Sequence, residues 1–158
     1  MGHSTMKRSQ TGSVTIELAM VGFFFFFIML GVIETGRVMF TWNALSEATR
    51  LGARAASVCA VQDNVISTIS TFNNNGLITG LEPGNINVNY LNENGAVVPN
   101  PGPGNPNGFL DVRFVQVSIQ GFDYDLLIPG IGPITLPLFS TTLPRQSFGI
   151  VPNEATGC

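Results

Sequence analysis

Charge is what this sequence has least of. Seven Lys/Arg and ten Asp/Glu are spread over 158 residues, and between Leu18 and Ile33 there is none. A net charge of −3 offers no basic face and so speaks against a nucleic-acid partner. Histidine is almost missing too. The single one, His3, lies ahead of the apolar run, so neither imidazole acid–base catalysis nor a histidine metal site has residues to draw on. The two cysteines, Cys59 and Cys158, are too far apart for a zinc motif or a CxxC redox pair. No glycine-rich phosphate loop is present, because the glycines accompany prolines in turns. Asp123 and Asp125 flank Tyr124 and read as a solvated strand end rather than a paired acid and base. Catalytic residues, metal ligands and cofactors are therefore not expected. Proline is absent from Ser13 to Ala60, and nothing there interrupts a helix.

What is present is concentrated near the start. The uncharged segment reads LAMVGFFFFFIMLGVI, and with its flanks from Ser13 to Trp42 it is long enough to cross a hydrocarbon core of about 30 Å at about 1.5 Å per residue. A transmembrane stretch is expected at about residues 16–40. Lys7 and Arg8 precede it and favour a cytoplasmic N-terminus, although Arg37, Arg50 and Arg54 follow and weaken the contrast. Glu17 sits at the mouth of this segment, where a carboxylate is costly. A secretory signal peptide does not fit. The apolar run is too long, and the small-residue cluster GARAAS, 52–57, comes too late for a cleavage site. A plain anchor fits better but leaves Glu17 unexplained.

A cut between Gly12 and Ser13 accounts for more of these residues. It removes the basic leader MGHSTMKRSQTG, makes Glu17 the fifth residue of the product, and leaves the apolar helix in place as an anchor. Gly12 has no side chain to obstruct a protease cleft. The pattern resembles the processing site of type IV prepilins. The next stretch, GVIETGRVMFTWNALSEATRLGARAAS, narrows the resemblance to the TadE-like minor pilins, or pseudopilins, of tight-adherence (Flp-type) pilus systems. It is carried by Gly31, Glu34, Gly36, Arg37, Ala44, Ala48, Arg50, Gly52, Ala53, Arg54 and Ala56, and covers residues 12–57. The phenylalanine block departs from the family, where Leu and a proline are more usual.

The resemblance implies a bacterial inner-membrane protein with one span and its C-terminal domain outside the cytoplasm. It implies processing by a prepilin peptidase and partners among pilin subunits, a membrane assembly platform and the lipid bilayer. Glu17 would serve assembly, pairing with the α-amino group that cleavage creates at Ser13. The competing readings are an uncleaved, singly anchored domain binding an envelope partner or ligand, and a membrane-tethered hydrolase for which no residues are found.

Beyond the lipid segment, Ala44, Ala48, Leu51 and Ala55 fall on one helical face, with Gly52, Ala53 and Ala56 beside them. Packing on the protein's own domain is the preferred reading of that face. Gly22 and Gly31 could admit a close contact with another helix, but their spacing makes no G-x-x-x-G motif. Glu34 with Arg37, and Glu47 with Arg50, are spaced to pair.

The expected organisation is a leader over 1–12, a long helix over 13–60 with a bend at Gly31 or Gly36, and an exported domain over 61–158. The fold class is α+β, a small antiparallel sheet packed on the helix's second half. VQDNVISTISTFNNNG predicts a short helix burying Val65, Ile66, Ile69 and Phe72 and stopping at Asn75-Gly76. Ile86, Val88 and Tyr90 alternate with asparagines and predict a strand that turns at Glu93–Gly95 into Ala96–Val98. Val115, Val117 and Ile119 mark another strand, with Gln116, Ser118 and Gln120 outward. A last strand is expected around Gln146–Val151. PNPGPGNPNG, 99–108, predicts an exposed loop that contributes nothing to the core. LLIPGIGPITLPLF, 126–139, reads either as a cover over the core or as an exposed apolar patch touching the membrane or a partner subunit. In an exported domain Cys59 and Cys158 read as a disulfide; the other reading is two separate thiols.

Overall fold

A computed structural model describes residues 11–102, 104–128, 130, 132–148, 150–151 and 154–155. The chain divides into two units, the first ending at Val38 and the second beginning at Met39. Helix α1, Thr11–Val58, contributes to both and is unbroken through Gly31 and Gly36. Its 48 residues give a length of about 72 Å. In the first unit nothing covers it: every large apolar side chain from Val14 to Ile33 is between 47% and 71% exposed.

The second unit is built on rows of three. Strands β1 (Ile86–Leu91), β2 (Phe114–Ile119) and β5 (Phe139–Pro144) form an antiparallel sheet in the order β1-β2-β5. The register sets Ile86, Ile119 and Phe139 side by side, then Val88, Val117 and Thr141, then Tyr90, Val115 and Leu143. Side chains directly opposite one another share a face. These nine form the core face, and the C-terminal part of α1 lies against it. Trp42 meets Phe139 edge-on at 5.0 Å, and Thr49 hydrogen-bonds Thr141 hydroxyl to hydroxyl at 2.9 Å. Gly52 faces Val117 and Ser70, and Gln146 N–H donates to Ser57 carbonyl at 3.1 Å. Helix and strand thus run alongside each other. From Trp42 to Ser57 is about 22 Å at helical rise and from Phe139 to Gln146 about 23 Å at strand rise, so the two stay in step.

Helix α2 (Asn64–Ser70) is capped by Asp63, whose carboxylate accepts from Val65 N–H at 3.0 Å. It buries Ile66 and Ser70, while Val65 is exposed, off the predicted face. It ends before Asn75-Gly76. Phe72, Asn73 and Asn74 already adopt positive φ, and Thr71 Oγ1 donates to Asn74 Oδ1. A 3₁₀ turn, Pro83–Asn85, leads into β1. The expected hairpin after β1 shrinks to a single bridge between Leu91 and Val97, held by Asn92, whose side-chain oxygen accepts from Asn94 and Ala96 N–H.

Four further expectations are corrected. The asparagine–proline–glycine tract is no mere exposed loop: α3 (Pro106–Asp111) starts inside it with proline at its first turn. Gly108 is buried so closely that a Cβ there would lie 2.6 Å from Asn100 carbonyl oxygen. The third strand of the main sheet is β5, earlier than 146–151, and of the strand expected there only β6, Ile150–Val151, forms. Gln146 and Ser147 instead reach the C-terminus of α1, Ser147 Oγ donating to Val58 carbonyl at 3.4 Å. They satisfy carbonyls that a helix end leaves open and stop α1 at Val58, two residues short of prediction, without glycine or proline. Arg145 does the same for α3, donating to Phe109 and Val112 carbonyls while its guanidinium lies over the edge-on rings of Phe109 and Phe148. Ser118, expected outward, is buried. Short ladders β3 (Asp123–Tyr124) with β4 (Ile134–Thr135), and β6 (Ile150–Val151) with β7 (Glu154–Ala155), complete the described elements.

Candidate functional site

Gly12 and Ser13 lie in a helical turn at the start of the described part of α1, exposed, with no described residue within 4 Å of where a Gly12 side chain would begin. That turn is helical, not extended. Gly12 makes that turn easier to open, because glycine costs about 1 kcal/mol relative to alanine in a helix. No acidic residue stabilises it. Glu17 follows Ser13 by four positions and so shares its face, one turn on. Val14, Leu18 and Val21 surround Glu17, leaving a carboxylate in an apolar collar.

The two glutamates bounding the uncharged run differ. Glu34 carries its own cation: Arg37 Nη1 donates to Oε2 at 3.0 Å and Oε1 at 3.3 Å, and the Glu34 side chain is only 7% exposed. Glu17 is exposed and forms no ion pair among the described residues. Glu47 and Arg50 are both exposed and do not pair.

Between them the phenylalanines point in every direction around the helix. Phe23 and Phe27, one turn apart, stack at 6.3 Å, while Phe23 with Phe24 and Phe25 with Phe26 meet edge-on at 5.8 and 5.6 Å. A helix apolar on all sides suits lipid or the centre of a bundle. Gly22 and Gly31 interrupt this surface, and neither has a neighbour within 4 Å of its Cβ position.

In the second unit Ala44, Ala48, Gly52 and Ala55 are all buried, and so are Leu45, Ala53 and Ala56. This face is occupied by the chain's own α2 and sheet. Cys59 closes the helix, 2% exposed and not a free thiol. Cys158, the other half of the expected bridge, lies outside the described residues. No group of three His, Cys, Asp or Glu able to hold a metal occurs among the described residues. The Trp42–Phe139, Thr49–Thr141 and Arg145 contacts were not foreseen from sequence. Only the first had a signal, since Trp42 is the chain's sole tryptophan.

One long apolar helix near the N-terminus, running on into an α+β unit, is the build of a membrane-anchored protein. Residues 12–54 match the model of the family described as TadE-like protein, which marks this segment as TadE-like. Such proteins are in general non-enzymatic. The match begins at Gly12 and covers Glu17, the apolar run and most of the buried small-residue face. No curated protein and no solved structure matches the chain.

Proposed function

We propose that the chain is the precursor of a minor pilin, cut by a prepilin peptidase after Gly12 and then assembled through its N-terminal helix. The observation that carries this reading is Glu17. It is a carboxylate in an apolar collar at the start of a TadE-like segment, without a cation among the described residues, whereas Glu34 has Arg37. Cleavage supplies the missing partner. A free α-amino group at Ser13, charged below a pKa of about 8, would lie one turn from Glu17 on the same face. In the membrane that amine pairs with Glu17 of its own chain or of a neighbour and lowers the cost of placing either charge there. The peptidase must open the helical turn that holds Gly12, and glycine makes that opening easier. The basic residues Lys7 and Arg8 keep the leader on the cytoplasmic side of the inner membrane, with the second unit exported. In that oxidising compartment Cys59 pairs with Cys158.

N-terminal sequencing of the membrane-extracted protein from cells holding the peptidase tests the processing step. Ser13 at the terminus supports it, and an intact leader favours an uncleaved anchored domain. Glu17→Gln tests the assembly step. It keeps the helix and the cleavage but removes the charge, so processed subunit is expected to accumulate while pilus output falls. Wild-type pilus output from that variant counts against the role given to Glu17.

A further inference from the structure

The second unit has two unlike ends. The register places Leu91, Phe114 and Pro144 at one end of the sheet and Ile86, Ile119 and Phe139 at the other. At the first end the connections, from Asn92 to Gly95 and through the asparagine–proline–glycine tract, are mostly polar, with Val97 and Leu110 exposed singly among them. The second end is different. Trp42 meets Phe139 there, so it is the end beside which α1 enters this unit, directly after the apolar run in sequence. Residues 135–138 fold over Ile119–Phe122, around a shallow 210 Å³ hollow. Leu138 is 66% exposed, Ile134 44%, Met39 57% and Trp42 42%. Between Asp125 and Arg145 the chain carries no charged side chain at all.

We infer that this end of the unit rests on the outer surface of the bilayer that α1 crosses, with Met39, Trp42, Ile134, Pro137 and Leu138 set into the headgroup–acyl boundary. Four observations select lipid as the occupant. The patch continues the lipid segment along the chain. It lies at the end of the sheet beside which α1 enters the unit. Its loop, residues 126–144, is uncharged, and the carboxylate beside it, Asp123, accepts from Thr135 Oγ1 at 3.1 Å at the polar rim of the patch. Its tryptophan is of the residue type that settles at that depth. Met39 and Trp42, three positions apart, share a helix face, and the edge-on contact with Phe139 links that face to the strand that follows the loop. Here the loop limits tilting of the exported unit and fixes the height at which it stands above the membrane.

The inference rests on α1 being a membrane anchor, and the experiment separates the two. The full chain, with Trp42→Phe to remove its only native indole, is reconstituted at low protein density into phosphatidylethanolamine–phosphatidylglycerol vesicles. These are doped with phosphatidylcholine brominated near the carboxyl or near the methyl end of its acyl chains. Indoles are introduced singly by Leu138→Trp, by Ile134→Trp as a second reporter of the loop, by Val97→Trp at the polar end, and by Phe25→Trp within the apolar run. Shallow bromine is expected to remove about half or more of the Leu138→Trp and Ile134→Trp emission and to leave Val97→Trp unchanged, as an interfacial depth requires. Deep bromine is expected to quench Phe25→Trp. If Phe25→Trp is quenched and both loop variants are not, the inference is overturned and the anchor stands. If Phe25→Trp escapes quenching, the anchor reading falls and the inference with it. Loop quenching that disappears while Leu138 cross-links between two copies assigns the patch to a second subunit and also overturns the inference.

Discussion

Gly52→Ala should destabilise the protein, although in a helix alanine is the better residue. A Cβ at Gly52 would collide with Ser70 Oγ and reach Val117 Cγ1 at 3.0 Å. Neither neighbour can give way cheaply. Val117 is fully buried in the middle row of the sheet, and Ser70, also fully buried, donates to Ile66 carbonyl at 2.7 Å. Forcing a methyl group into such a contact costs about 1–3 kcal/mol, and the immobility of both neighbours puts this case in the upper part of that range. Helix propensity returns about 1 kcal/mol. The net expectation is a loss of about 1–2 kcal/mol, read as a lower urea midpoint for the full chain in detergent micelles with an unchanged slope. Ser70→Ala takes away the nearest obstacle, so the double variant should recover part of the loss and give a favourable coupling in a double-mutant cycle. A Gly52→Ala protein as stable as wild type, or a double variant no better than the sum of its parts, would refute the claim that α1 and α2 are in contact at this point. The outcome also assigns the small-residue face. A stability loss in the isolated subunit means that Gly52 serves the chain's own fold and is not held open for a neighbour.

Further outcomes follow from other parts of the second unit. Burial raises the pKa of Tyr90 above its ordinary value, and the nearby Asp63 charge adds to the rise, while the Gln62 N–H that donates to its hydroxyl opposes it. The folded state therefore holds the phenolic proton more tightly than the unfolded one. Tyr90's contribution is intact below a pH of about 10 and is lost as pH rises above that value toward the folded pKa. Tyr90→Phe should flatten this alkaline fall in a pH series of denaturation midpoints, and should cost about 1–3 kcal/mol at neutral pH by leaving Gln62 N–H without its acceptor. Arg145→Lys should cost about 1–3 kcal/mol in the same assay, because an ammonium cannot span two carbonyls and two rings as the guanidinium does. The proposed bridge predicts that alkylation of the denatured chain adds no mass before reduction and two groups after it; alkylation without reductant would show two separate thiols.

What could be read from the sequence was what local pattern encodes. The apolar run, the alternation in Ile86–Tyr90 and Val115–Ile119 and the small-residue face of α1 each declare themselves within one or two turns or one strand. The third strand did not. FSTTLP carries only two large apolar side chains, and its middle core position is Thr141, whose hydroxyl is satisfied by Thr49 across the fold. A polar residue at a core position is legible only when its partner is known. Helix α3 was hidden in the same way. Its composition argues for a loop, and what holds it is Phe109 packing on Phe148 under the Arg145 guanidinium, from a segment far along the chain. The end of α1 is set by Gln146 and Ser147 rather than by any residue near Val58, so no local stop signal existed to be found.

The same distinction bears on how the first unit would recognise its neighbours in the pilin reading. A helix covered in apolar side chains gains nothing hydrophobically by leaving lipid for another helix, so its partners must be chosen by close approach or polar contact. Only Glu17, Gly22 and Gly31 break the surface between Leu18 and Ile33 and its entrance. At about 100° per residue, Glu17 and Gly31 fall within about 40° of one another, along the stripe that also holds Val21, Phe24 and Ile28. Gly22 and Gly31 are about 180° apart, on opposite faces. The glycines therefore cannot form one groove for one partner, which is also why no G-x-x-x-G spacing is present. They suit a helix with a neighbour on each side, as a subunit inside a fibre has through its two different contact surfaces. In the pilin reading that geometry would set Gly31 beside the charged contact at Glu17 and Gly22 toward the other neighbour.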